Sequence, residues 1–175
     1  ESFPLFGYDL GDYDELFTEK LDLLLKLNKS EKLSWQGKHR PSFNDLGVYP
    51  RPYQPSIPVW LAAGGTPASA VRAATLGLPL MLAIIGGTLQ QFVPFISLYR
   101  EAAKKSGKDL NTLQLGVNNH MYVGEDSQQA ADEFYPYYAA MMNHVGRDRG
   151  WAPLSRRQFD HSRLPQNALM VGSVQ

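Results

Sequence analysis

The chain has 175 residues, no net charge (17 basic against 17 acidic side chains), four histidines and no cysteine. That length accommodates one domain with a buried core, the charge balance argues against a nucleic-acid or anionic-membrane partner, and the missing cysteines exclude disulfides, thiolate metal sites and a Cys nucleophile. No apolar run approaches the ~20 residues of a membrane span, and Glu1-Ser2-Phe3-Pro4 has no signal-peptide pattern, which fits a cytoplasmic protein.

Asp12-Tyr13-Asp14-Glu15 reads as a capping box opening a helix over 13–28, whose Leu16, Phe17, Leu21, Leu24 and Leu25 follow helical spacing. Leu23 and Leu27 widen that face, so the helix is expected to be well buried. Residues 30–58 read as a long connection with a small extended excursion at 34–40 and an irregular stretch, 49–58, set by four prolines. An apolar strand, Pro58 to Ala63, then runs into Gly64-Gly65-Thr66; Thr66 stands as N-cap, Pro67 at the first helical position, and the helix stops near Gly77. The pattern repeats: a strand over 80–85 meets Gly86-Gly87-Thr88, and a helix capped by Thr88 and Gln91 ends at Gly107, with Pro94 distorting its start.

Leu113 to Val123 reads as a third strand, Ser127 opens a helix to about 145 that Pro136 should kink, and Ala168 to Val171 begins one more strand. Residues 146–166 show no period and read as a long surface loop or lid. Short all-apolar strands alternating with helices mean a parallel α/β sheet, either open and doubly wound or part of a (β/α)8 barrel. A full barrel needs roughly 250 residues, so this chain holds only part of one. With no initiator Met, and Val171 to Gln175 reading as a strand running into a loop, an internal piece of a longer protein is expected.

The strand-Gly-Gly-Thr-helix turn at 64–69 is the strongest anion site in the sequence. Glycines let backbone N–H groups approach a phosphate, the following helix aims its positive end there, and the hydroxyls of Thr66 and Ser69 add donors. The same residues also suffice for a tight βα turn with Thr66 as cap, and both readings stand. Gly86-Gly87-Thr88 has the same shape and reads either as space for a flat ring or as a turn plus cap. His120, in Asn118-Asn119-His120-Met121-Tyr122, shares a strand face with Tyr122 and reads as a lumen-facing ligand contact or a hydrogen-bonded core histidine. Neither GxGxxG, a Walker loop, GxSxG nor HExxH is present, and no metal site is expected.

Four stretches carry a family resemblance: Leu5-Phe6-Gly7-Tyr8-Asp9-Leu10-Gly11-Asp12-Tyr13-Asp14-Glu15-Leu16-Phe17, Trp35-Gln36-Gly37-Lys38-His39, the run from Pro50 to Trp60 leading to Ala73-Ala74-Thr75-Leu76-Gly77-Leu78-Pro79, and Val171-Gly172-Ser173. In that order, over nearly the whole chain, they resemble the bacterial luciferase-like, flavin-dependent monooxygenase family. The resemblance implies a single domain, 1–175, that is part of a (β/α)8 TIM barrel, with 146–166 as a mobile insertion loop. It implies FMN, or alternatively a deazaflavin coenzyme, with the phosphate at Ala63, Gly64, Gly65, Thr66 and Ser69, the ring system near Ile85 and Gly86, and His120 in the substrate pocket. The arginine some members carry in the early helix is unmatched, since Asp14 or Glu15 stands there; Tyr13 is its candidate substitute. A monooxygenase acting on a small organic substrate with O2 follows, supplied by a separate flavin reductase and assembled as a homo-oligomer. A deazaflavin hydride-transfer enzyme and a flavin-binding protein without turnover are the alternatives. The family's catalytic histidine lies early in the barrel, so no catalytic residue is assigned here.

Overall fold

Side chains alternate across a strand, and Leu61, Ala63, Leu80, Leu82 and Ile84, all 5% exposed or less, mark the face that helices cover. The computed structural model describes residues 3–174, and the chain divides into two compact units, Glu1–Pro58 and Val59–Gln175. Among the described residues, no helix is long and apolar enough to cross a membrane.

In the first unit, Asp9 accepts a hydrogen bond from the Gly11 amide (2.6 Å) and opens a 3-10 turn, Leu10–Asp12, that runs directly into α1 (Tyr13–Lys29). The expected capping box is not formed: the Asp12 side chain makes no cap bond, because the chain arrives at α1 already helical. Glu15 instead bonds Lys38 and His39. The expected burial of α1 is also corrected. Leu16 is its one buried side chain, and Leu24 is 49% exposed. The excursion after α1 is a full antiparallel hairpin, β1 (Lys32–Trp35) with β2 (Phe43–Gly47), with a register shift between Leu33 and Trp35. Glu19 fastens the hairpin loop by accepting from the amides of Lys38, His39 and Arg40.

The second unit carries the parallel α/β alternation. β3 (Leu61–Ala63) and β4 (Leu80–Ala83) pair in parallel, and β4 pairs in parallel with β5 (Leu115–Asn118). Between them, α2 (Pro67–Leu76) starts with Pro67 in its first turn and ends at Gly77, which takes φ +69°. Thr88 and Gln91 form a capping box over a 3-10 turn, Leu89–Phe92, and α3 (Val93–Lys105) follows with Pro94 in its first turn rather than its interior. Ala70, Ala73, Ala74 and Ala103 are fully buried, small enough to let α2 and α3 sit close.

The expected third strand is broken in two. β5 pairs with β4, whereas β6 (Met121–Val123) pairs in parallel with β7 (Met170–Gly172), and Asn119-His120 separates them. Asp126 caps α4 (Ser127–Arg147) by accepting from the Gln128 and Gln129 amides, and Pro136 lies inside this helix. The stretch 146–166 is not wholly irregular: Ser155 and Gln158 form a capping box that opens α5 (Arg156–Ser162), and Phe159 is fully buried. Phe159 packs with Ala130, Ala131, Tyr138, Leu169 and Val171, so this segment is part of the core between α4 and β7. Arg156 pairs with Asp132 of α4 and with Asp160.

Candidate functional site

The carboxyl ends of β3 and β4 are neighbours, and each ends in a Gly-Gly turn. In the first, Gly65 takes φ +119°, a conformation that side chains rarely adopt. A Cβ on Gly64 would meet nothing within 4 Å, and one on Gly65 would meet only the Phe95 ring at 3.7 Å. Across the start of α2 the backbone bond formed is Ser69 N–H to the Thr66 carbonyl, 3.1 Å. Among the described residues, the amides of Gly64, Gly65, Thr66 and Ala68 therefore have no backbone acceptor. Thr66 stands at the N-cap position, but its side chain makes no cap bond, which leaves the hydroxyl available to a ligand. The turn thus offers four amides without a backbone acceptor, one hydroxyl and the helix dipole of α2, with open space at Gly64 and the Phe95 ring beside Gly65. That donor set suits a phosphate.

The second turn is built differently. Ile85 is 45% exposed, and a Cβ on Gly86 would meet nothing within 4 Å. Gly87 takes φ +75°, and a Cβ there would strike the Gln91 Oε1 atom that the Thr88 amide bonds at 3.2 Å. Of the two readings open for this turn, capping is realised. The strand end itself stays clear, as a flat ring would need.

His120 does not stand on the open face of the sheet. Its Nδ1 lies 3.3 Å from the Tyr138 hydroxyl, and the two rings meet edge to face at 5.3 Å between centroids. Tyr138 belongs to α4, so His120 and Tyr122 face the helices, while Met121 (64% exposed) and Val123 (52% exposed) occupy the opposite face. Burial pushes the Tyr138 phenol up, so its hydroxyl remains available to donate. Of the two readings open for His120, the hydrogen-bonded histidine packed against α4 is the one realised, and the lumen-facing contact is not. Tyr13 lies in the first unit, its ring 6.0 Å from Phe17. It lines an apolar cavity of about 330 Å³ with Phe3, Tyr8, Leu16 and Lys20. Among the described residues, no three His, Asp or Glu side chains gather in a metal-holding group.

Two residues escape sequence reasoning. Phe95, in the first turn of α3, walls the Gly64-Gly65 turn, a contact that its helical spacing alone does not reveal. Asn167 is buried between α5 and β7, in a run, Pro165-Gln166-Asn167, with no periodic signal.

A family model described as luciferase-like monooxygenase matches residues 1–173. Among curated proteins, no sequence matches significantly. Monooxygenase RslO1 from Streptomyces bottropensis is similar in structure, with a TM-score of 0.66 at 20% identity over 99% of this chain and 59% of that one. An F420-dependent secondary alcohol dehydrogenase, solved with an F420-acetone adduct, gives 0.67 at 17% identity over 97% and 52%. A type II Baeyer-Villiger monooxygenase, the oxygenating constituent of 3,6-diketocamphane monooxygenase from Pseudomonas putida, solved with FMN, gives 0.56 at 18% over 91% and 50%. At such identities the likeness concerns the fold, an α/β arrangement that is part of a (β/α)8 barrel. The chain spans between 50% and 59% of the length of these structures.

Proposed function

The chain belongs to the luciferase-like monooxygenase family, and on that premise we propose that it is a flavin-dependent oxidoreductase, a monooxygenase using reduced FMN and O2 on a small organic substrate. The observation that carries the reading is the turn after β3, with open space at Gly64 and four amides that lack a backbone acceptor. In this reading the amides of Gly64, Gly65, Thr66 and Ala68, with the Thr66 hydroxyl and Ser69 beside them, hold the FMN phosphate. Ala63 ends the strand beneath it. Ile85 and Gly86 border the ring system and leave room for it. When bound, the flavin supplies the redox chemistry; the protein's part is to hold it, orient the substrate and keep water from the reacting face.

A deazaflavin coenzyme with hydride transfer is the second reading, favoured by the equal structural likeness to an F420-dependent dehydrogenase. The proposal carries with it a separate flavin reductase, a homo-oligomeric assembly and a cytoplasmic location. The test is titration of FMN, and separately of a deazaflavin coenzyme, into the protein, followed by flavin fluorescence and absorption. Saturable uptake of FMN supports the first reading, uptake of the deazaflavin alone supports the second, and uptake of neither refutes both. Oxygen consumption that rises when reduced FMN and an organic substrate are present together would separate turnover from flavin storage.

A further inference from the structure

Asn167, 8% exposed, is the buried polar residue of the core among the described side chains. A buried amide is costly unless its hydrogen bonds are made. Its Nδ2 donates to the His161 carbonyl (2.7 Å) in the last turn of α5, and its own N–H donates to the Leu164 carbonyl (2.8 Å). Leu169 N–H returns to the Ser162 carbonyl (3.2 Å). Residues 161–169 are thereby closed onto the end of α5.

The other side of the same segment grips the turn after β4. Leu89 N–H donates to the Gln166 carbonyl (3.0 Å), and Ala168 N–H donates to the Gly87 carbonyl (3.1 Å). Between them Thr88 and Asn167 oppose each other in an antiparallel bridge. Residues 166–168 are therefore a strap with α5 on one side and the Gly87-Thr88-Leu89 backbone on the other. Upstream of the strap, Ile84 N–H bonds the Asn118 carbonyl at 2.9 Å. Ile85 and Gly86 lie between these two anchors, so the position of both depends on the strap.

We propose that Asn167 is a positioning residue: through the strap it sets where Ile85 and Gly86 stand toward the flavin ring. The inference rests on the flavin reading above. It assigns to 161–169 a role in shaping the cofactor site, with the Asn167 amide as the lock.

The test uses Asn167→Ala and Asn167→Leu, the second keeping the side-chain shape while losing the Nδ2 donor without burying a charge. Amide exchange at Leu89 and Ala168 is followed by NMR, with Leu82 as internal reference, and FMN is titrated into each protein. Both variants are expected to exchange about tenfold faster at Leu89 and Ala168 with Leu82 unchanged, the scale of one lost internal hydrogen bond. FMN should bind about fivefold more weakly, with the absorption band of the bound flavin shifted. Should Asn167→Ala not fold, Asn167→Leu decides alone. Unchanged exchange at Leu89 and Ala168 would overturn the lock. Faster exchange with wild-type flavin affinity and spectrum would overturn the positioning role and leave the flavin reading intact. A wild-type protein that takes up no FMN overturns the flavin reading itself.

Discussion

The two glycines after β3 are separable by substitution, because different constraints act on them. Gly64 has no positive φ, and a Cβ there would meet nothing within 4 Å. Gly64→Ala should therefore leave stability within about 0.5 kcal/mol of wild type, or raise it slightly by restricting the unfolded chain. If the proposed phosphate site is right, the same methyl would stand where a phosphate oxygen approaches the backbone. Losing one hydrogen bond to a charged oxygen costs about 1.5–3 kcal/mol, so FMN affinity should fall by about tenfold or more. Gly65→Ala should behave in the opposite sense. Its Cβ would sit at an ordinary 3.7 Å from Phe95, but φ +119° strains any side chain whatever the space, and destabilisation of about 1–3 kcal/mol follows. The assay is urea unfolding of both variants beside FMN titration followed by fluorescence. A folded Gly64→Ala protein with wild-type FMN affinity would place the phosphate elsewhere. A Gly65→Ala protein as stable as wild type would refute the backbone argument.

Phe159→Ala should cost about 3–5 kcal/mol in urea unfolding, the scale for a fully buried ring, whereas a loop side chain would cost under about 1 kcal/mol. Arg163 donates from Nε to the Val171 carbonyl (3.0 Å) and from Nη2 to the Ser127 carbonyl (2.8 Å), so Arg163→Lys should fail to restore the stability lost in Arg163→Ala, because an ammonium cannot reproduce the fork; a full rescue in thermal melts would contradict this. Glu19 is held below the ordinary carboxylate range, first by the His39 amide and also by those of Lys38 and Arg40. Its stabilising contribution is thus present at neutral pH and lost as pH falls through its lowered folded value. The stability gap between wild type and Glu19→Gln should shrink on acidification below pH of about 4, and a gap that grows instead would reverse the sign of the argument.

The parallel unit was legible because its signals are local and agree with one another. Apolar runs at 58–63 and 80–85, Pro67 at a first turn, Gly77 at a helix end and the Thr88-Gln91 pair all say the same thing as the tertiary structure. The hairpin strand Phe43–Gly47 was not legible: with two polar residues in the middle and one half-buried residue at each end, it shows no alternation. The break at Asn119-His120 was hidden because it comes from pairing with two different neighbours, and no residue of the run announces it. α5 left a readable trace in Ser155 and Gln158, but seven residues are too few for a helical period to stand out among the surrounding arginines. The exposure of α1 depends on what packs against it, which an apolar stripe does not reveal.

The junction between β5 and β6 has a consequence for how the chain tolerates changes in length. A one-residue insertion within a strand turns every following side chain to the opposite face. Here Leu115–Asn118 takes its register from β4, and Met121–Val123 takes its register from β7. A residue added between Asn118 and Met121 leaves both registers where they are and is absorbed by the connecting pair alone. The same addition at Val117 or Tyr122 would exchange the inner and outer faces of its strand. Length variation along this run should therefore be concentrated at residues 119–120.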